Sequence, residues 1–200
     1  MSLQRTALVT GAARGIGKAI ATSLAAQGHR VVLADVLPDV MDTAENIDGD
    51  TQGVIVDLAE LTSISGFIET LVTQFGPIEI LGNNPGISPK HDGKRAPIDT
   101  LELDEWQTVL DVNLTAAFLL SQACLPGMRE RGFGRIVNMA SASGRVGSVA
   151  NASIYSGTKG AIIMFSKSVA REVAADGILV NCVAPGCVET DLITSLPPDK

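Results

Sequence analysis

The chain has 200 residues, 46% apolar and 4% aromatic, with 15 Lys and Arg against 22 Asp and Glu and a net charge of −7. That length supports one domain, 1–200, with a real core. The acidic balance, without a basic cluster, argues against nucleic acid or an anionic membrane surface as partner. No apolar run approaches the ~20 residues needed to cross a bilayer. The start, Met1-Ser-Leu-Gln-Arg5, runs straight into a strand and leaves no room for a signal peptide. Cys124, Cys182 and Cys187 form no C-x-x-C pair, which fits reduced thiols and a cytoplasmic protein. His29 and His91 lie far apart, nothing has metal-ligand spacing, and no metal is expected.

Thr6–Thr10 reads as a short buried strand, followed by Gly11-Ala-Ala-Arg-Gly15-Ile-Gly17 and a helix with Ile16, Ile20 and Leu24 four apart. Gly28 ends that helix. Arg30–Ala34 is a second strand closing on Asp35, and a helix over Pro38–Ile47 leads to a third strand, Gly53–Val56, which ends at Asp57. Thr62 is placed to cap the next helix, whose stripe is Ile64, Ile68, Leu71 and Phe75, with Gly76 as its stop. Ile78–Leu81 is strand four. Asn83-Asn-Pro-Gly86 follows, then a polar loop, Ser88–Thr100, whose length without an obvious element suggests a functional surface loop.

Asp104 is placed to cap a long helix through Trp106, Leu110, Leu114 and Phe118, which Pro126 breaks late. Arg135–Met139 is strand five, and Ser141–Ser153 a Ser/Gly/Ala-rich loop. A helix carrying Tyr155 runs to about Asp176, with Ile162, Phe165, Val169 and Val173 as its buried side. Leu179–Val183 is strand six, stopped by Pro185-Gly186. Apolar strands alternating with amphipathic helices imply an α/β, doubly wound, Rossmann-type parallel sheet. Ligands bind such sheets at the carboxyl ends of strands. Gly11, Asp35, Asp57, Asn83, Ser141 and Gly186 all follow strand ends.

Glycines 11, 15 and 17 let backbone approach a diphosphate at a helix N-terminus. Asp35 lies 18 residues beyond Gly17. A carboxylate there accepts hydrogen bonds from the adenosine ribose and repels a 2′-phosphate, which favours NAD over NADP. Arg14 is the counter-signal, a cation within reach of such a phosphate. In Tyr155-Ser-Gly-Thr-Lys159, phenol and ammonium share one helix face. A fixed ammonium favours phenolate, which suits proton transfer at an alcohol or carbonyl oxygen. Tyr155 is the only tyrosine in the chain.

The glycine spacing together with Tyr155-x-x-x-Lys159 resembles the short-chain dehydrogenase/reductase family, over Thr6 to about Thr190. Within it, 3-oxoacyl-acyl-carrier-protein reductases and small alcohol or polyol dehydrogenases are the nearest kinds. The resemblance implies a catalytic tetrad of Asn113, Ser141, Tyr155 and Lys159. Tyr155 is then the acid/base, and Ser141 holds the substrate oxygen, with Ser143 a competitor for that role. Lys159 binds the nicotinamide ribose, and Asn113 holds a water in a proton relay through Lys159. Cofactor contacts are implied at Gly11, Arg14, Gly15, Ile16, Gly17, Asp35, Asp57, Leu58, Asn83, Tyr155, Lys159, Pro185, Gly186, Val188 and Thr190. Substrates are implied to be small alcohols, ketones or acyl thioesters, and the assembly a homo-oligomer, a tetramer or dimer.

Two departures from the family pattern stand out. Pro85 replaces the usual alanine, removing a backbone donor and fixing φ. The chain also ends at Lys200, so that six strands are present and the family's usual seventh is missing. Strand six is then expected to expose an edge, and Asp191–Lys200 to be the start of a substrate lid. The leading reading is an NAD(H)-dependent oxidoreductase of secondary alcohols and ketones. The alternatives are a nucleotide-binding sensor or inactive truncated member, and a more distant epimerase or dehydratase.

Overall fold

A computed structural model of the chain describes residues 3–148 and 151–188. Its strands are β1 (Thr6–Thr10), β2 (Arg30–Asp35), β3 (Thr51–Ile55), β4 (Ile80–Asn83), β5 (Gly134–Met139) and β6 (Ile178–Val183). They form one sheet in the order β3-β2-β1-β4-β5-β6, with every pair parallel. The apolar runs are nearly continuous because both faces are covered. Alternate residues of β1 feed two cores: Leu8 joins one, with Ile64, Ile68, Leu71, Leu120 and Ile136. Ala7 and Val9 join the other, with Ala21, Ala25, Val31, Leu33 and Val40. In this order the chain reverses direction between β1 and β4, which opens a crevice at their carboxyl ends.

The first helix, α1 (Gly15–Ala26), buries Gly17, Ala21 and Ala25, and the Ile16, Ile20, Leu24 line lies half-buried on its flank. The cause is a close approach. A Cβ at Gly17 would overlap the Gly11 carbonyl oxygen, so only Gly and Ala fit the inner line and larger side chains are displaced to the side. Helix α2 (Val40–Glu45) is shorter than Pro38–Ile47. A 3-10 turn, Leu61–Ser63, precedes α3 (Ile64–Phe75), so Ser63 rather than Thr62 stands at the cap, with no side-chain cap bond. Gly76 ends α3 with φ 81°.

The loop after β4 has more structure than its composition suggests. His91 and Lys94 exchange two backbone hydrogen bonds of 2.8 and 3.0 Å around Asp92 and Gly93, both at positive φ. This is the Asp-Gly turn that such dihedrals favour. His91 Nε2 also lies 2.7 Å from Glu105 Oε2 on the next helix.

That helix runs continuously from Leu103 to Arg131, as α4 (Leu103–Leu110), a π turn (Asp111–Thr115) and α5 (Ala116–Arg131). Glu102 stands at its cap, and Asp104 lies in the first turn. Pro126 does not break it; α5 continues to Gly132, which caps it in the left-handed conformation. By length and composition this helix is long and apolar enough to cross a membrane. It lies along the sheet, with Ala116, Leu120, Cys124 and Met128 in the core.

A short helix, α6 (Ser143–Val146), occupies the Ser/Gly/Ala stretch, and α7 (Ser153–Val173) carries Tyr155 before a 3-10 turn at Ala174–Asp176. Among the described residues no strand pairs with the outer edge of β6, where Leu179 and Val183 are exposed.

Candidate active site

The crevice between β1 and β4 is closed by Asn84, whose Nδ2 donates to the Gly11 carbonyl at 2.9 Å and whose backbone N–H donates to Thr10 Oγ1 at 3.4 Å. Gly11 and Gly15 sit at φ +62° and +57°, where a side chain is strained. A Cβ at Gly11 would press on Asn84 and the Pro85 backbone at 3.0–3.2 Å. The turn is thus a bare-backbone cradle ending at the N-terminus of α1. The first N–H groups of a helix have no intrahelical partner and favour an anion, so the cradle fits a diphosphate. Arg14, exposed, stands at the α1 cap with extended backbone. Half-buried Ile16 is the second residue of the helix.

Asp35 lies half-buried beside this cradle. Its Oδ2 accepts the Ala13 N–H at 2.9 Å, and its Oδ1 accepts the Leu37 N–H at 3.1 Å. Both oxygens keep a free acceptor direction, so the carboxylate is oriented for hydroxyl donors. Asp57, exposed, accepts the Ala59 N–H at 2.9 Å and shapes its own turn. The Leu58 side chain is buried in the core, which leaves only its backbone for a ligand.

The Asn83 side chain is buried within the sheet, 3% exposed. Register pairs it with Asn138 across β4 and β5. Its Nδ2 donates to Asn138 Oδ1 at 2.8 Å, and Asn138 Nδ2 donates to Ser166 Oγ at 2.8 Å. The side chain therefore ties the sheet to α7 from within, and Asn84 faces the glycine turn in its stead. Sequence reading passed over Asn84, although it lies in the Asn-Asn-Pro-Gly segment.

The π turn holds Asn113, 2% exposed. Its Oδ1 accepts the Ile87 N–H at 2.8 Å, and its Nδ2 donates to the Ile87 carbonyl at 3.0 Å and to Thr158 Oγ1 at 3.2 Å. The amide is occupied as a clasp between the β4 loop and α7. Extra-residue turns of this kind recur at functional sites.

Ser141, half-buried, follows β5. Its Oγ accepts the Ser143 N–H at 3.2 Å and lies 3.1 Å from Ser143 Oγ. Both hydroxyls are thus coupled at one spot. Gly144 presses the serine loop onto α7: a Cβ there would overlap the α7 backbone at Lys159 and Gly160. This contact between helices has no signature in periodicity.

Lys159, 2% exposed, donates from Nζ to the Met139 carbonyl at 2.8 Å and the Pro85 carbonyl at 3.4 Å. The same Nζ lies 5.8 Å from the Tyr155 ring centre. Burial pulls its pKa from 10.5 down to about 8, and the Cys182 sulfur works in the opposite direction. Cys124 is a buried thiol pushed up to about 12 by desolvation, which makes it inert.

The Pro185 carbonyl accepts the Ala142 N–H at 2.8 Å. The segment after β6 is thereby tied to the serine loop, with Gly186 and Val188 exposed beyond it. Thr190 and Asp191–Lys200 lie outside the described residues. The structure therefore gathers Asn113, Ser141, Tyr155 and Lys159 around the carboxyl ends of β4 and β5, next to the glycine cradle.

The family model for short chain dehydrogenase matches residues 5–200. The chain is 37% identical over 197 residues to the 3-oxoacyl-acyl-carrier-protein reductase of Salmonella typhimurium, covering 98% of this chain and 78% of that protein. It is 38% identical over 198 residues to the reductase of the same name from Synechocystis, covering 96% and 77%. A crystal structure described as an NAD(P)-dependent gluconate 5-dehydrogenase from Beutenbergia cavernae, with NADP at low occupancy, superposes with a TM-score of 0.91. It is 37% identical and covers 99% of this chain and 78% of that one.

Lys159 supplies a test of the site's electrostatics. Its folded pKa of about 8 lies below the unfolded 10.5. Below pH 8 both states hold the proton, and the folded state bears the full desolvation penalty. Between pH 8 and 10.5 the unfolded chain binds more protons, so stability rises with pH. Lys159→Met should be more stable than the wild type at pH 7, by up to roughly 3 kcal/mol less the lost carbonyl bonds. Urea unfolding should show that margin shrinking as pH rises to 10.5; a margin independent of pH contradicts a buried, depressed ammonium.

Proposed function

The chain belongs to the short-chain dehydrogenase family and is an NAD(P)-dependent oxidoreductase of CH–OH and keto groups, and from that premise we propose that Tyr155 is its acid/base, working with Ser141, Lys159 and Asn113 on a secondary alcohol or ketone. The observation that carries this reading is the convergence of the buried Lys159 ammonium, Tyr155 and the Ser141–Ser143 hydroxyl pair at one strand end.

The cofactor's diphosphate would lie on the Gly11–Gly17 turn, its adenosine ribose at Asp35 and its nicotinamide ribose at Lys159. The bound nicotinamide supplies or accepts the hydride. The chain does the rest. Tyr155 removes the alcohol proton during oxidation, or returns it to the carbonyl oxygen during reduction. Ser141 donates to that oxygen as charge builds on it. Lys159 keeps a cation beside the phenol, and its two carbonyl acceptors hold it in position. Asn113 clasps the loop that walls Lys159 and would hold a water in a proton relay through Lys159.

Asp35 carries the proposal that NAD(H) is preferred. Its carboxylate sits where a 2′-phosphate would bring two anions together, which is unfavourable in a half-buried site. The NADP-specific reading rests on Arg14 and on the NADP bound in the Beutenbergia relative. For the substrate, the relatives' names span acyl thioesters and a sugar acid, gluconate.

We also propose a homo-oligomer. Trp106 on α4, Phe118 on α5 and Met164 on α7 leave apolar surface exposed, and Phe118 meets Phe165 edge-to-face at 6.4 Å. An apolar face across two long helices suits a subunit contact. Light scattering on a size-exclusion column should report a dimer or tetramer; a monomer contradicts it.

Tyr155→Phe tests the catalytic assignment. Turnover with NAD(H) should fall about 10²–10⁴-fold while NADH binding, followed by fluorescence, stays within about threefold. A sensor would respond to nucleotide with the wild-type profile in this variant, and unchanged turnover removes Tyr155 from the reaction.

A further inference from the structure

The serine loop holds one group to which the proton chemistry gives no task, the Ser143 hydroxyl. Ser141 and Ser143 flank Ala142 on a backbone that is fixed from outside. The Ala142 N–H donates to the Pro185 carbonyl at 2.8 Å, and the Gly144 N–H donates to the Ser141 carbonyl at 3.0 Å. The Ser143 carbonyl accepts the Gly147 N–H at 2.8 Å. Gly144 lies so close to α7 that a Cβ there would overlap the Lys159 and Gly160 backbone. The 3.1 Å between the two hydroxyl oxygens is therefore set by the loop and not by the hydroxyls.

A serine hydroxyl has one proton to give and two lone pairs to fill. The Ser143 N–H fills one lone pair of Ser141 Oγ at 3.2 Å. A local turn of this kind needs only that backbone bond, and the Ser143 hydroxyl is extra to it. Donating to Ser141 Oγ, that hydroxyl fills the second lone pair and leaves Ser141 only its proton to offer. In the reverse order Ser141 spends its proton on Ser143 and has none for a substrate oxygen. Negative charge building on that oxygen attracts the Ser141 proton and favours the first order. Hydroxyls that donate in sequence polarise one another, so the outer one is a stronger donor than a lone serine.

We propose that Ser143 is a positioning residue: its hydroxyl donates to Ser141 Oγ and thereby commits Ser141 to donate to the substrate oxygen. This rests on the dehydrogenase reading above, in which Ser141 meets that oxygen.

A double-mutant cycle tests it. Reduction of acetoacetyl-coenzyme A and of 5-ketogluconate, with the nicotinamide cofactor the wild type prefers, is measured for Ser141→Ala, Ser143→Ala, Ser143→Thr and the double alanine variant. Cofactor binding, followed by nicotinamide fluorescence, should stay within about twofold in all four, because neither hydroxyl is asked to hold the nucleotide. Ser141→Ala should lower kcat about 10²–10³-fold. Ser143→Ala should lower kcat about tenfold with KM within about threefold, and Ser143→Thr, which keeps the hydroxyl, should stay within about threefold of the wild type. In the Ser141→Ala background, Ser143→Ala should cost less than about twofold more, since its partner is already gone. The same loss in both backgrounds marks Ser143 as a structural residue and overturns the proposal, as does an unchanged kcat in Ser143→Ala. A larger loss in Ser143→Ala than in Ser141→Ala reverses the order of donation and makes Ser143 the group that meets the substrate. Wild-type turnover in Ser141→Ala removes the premise, the assignment of Ser141 itself.

Discussion

The site depends on a single buried cation. Lys159 is almost fully withdrawn from water, and desolvation, opposed by the Cys182 sulfur, draws its pKa down to about 8. An ammonium in such a place needs acceptors, and the fold supplies them from two different strand ends. The Met139 carbonyl comes from β5 and the Pro85 carbonyl from the turn after β4. Both require the surrounding backbone to come close. Gly86 leaves room for the ammonium, and Gly144 lets the serine loop press against α7 at Lys159 itself. Pro85, a departure from the family pattern, offers the one backbone group a proline retains, its carbonyl.

Close approach also governs the nucleotide side. Gly11, Gly17 and Asn84 meet so tightly that a Cβ on either glycine would collide with its neighbours. This bare turn leaves backbone donors at the start of α1, and Asp35 is held next to it by the Ala13 N–H. The two halves of the site are joined beneath by the Asn83–Asn138–Ser166 chain, which couples β4, β5 and α7. Every side-chain donor in this chain finds an acceptor, whereas the buried Asn83 Oδ1 has no hydrogen-bond partner among the described residues.

The alternation of apolar runs and helices was legible because buried parallel strands read as near-continuous Val, Leu, Ile and Ala, and all six were located within two or three residues at either end. The places of Tyr155, Lys159, Asp35 and the glycine turn in the fold were legible because the strand–turn–helix alternation around them was. Other features were not. Ile16, Ile20 and Leu24 have helical spacing, but the close contact at Gly17 turns them to the flank. Pro126 has the composition of a breaker, yet its helix holds through packing of Leu120, Cys124 and Met128. The Asn83 side chain points inward because register sets Asn138 beside it, and pairing partners are invisible in one strand alone. The Asp92-Gly93 turn was written in the sequence and passed over, because its flanking residues lack strand alternation. The π turn at Asn113 and the Gly144 contact follow from tertiary packing and leave no local pattern.

The family binds a pyridine nucleotide, and the central proposal is that the glycine turn and Lys159 hold it here while Asp35 rejects a 2′-phosphate. Titration with NADH and, separately, NADPH, followed through nicotinamide fluorescence, tests it most directly. NADH should bind with a dissociation constant about tenfold or more below that of NADPH. Tighter binding of NADPH would mean that Arg14 outweighs Asp35, and binding of neither would contradict the site itself.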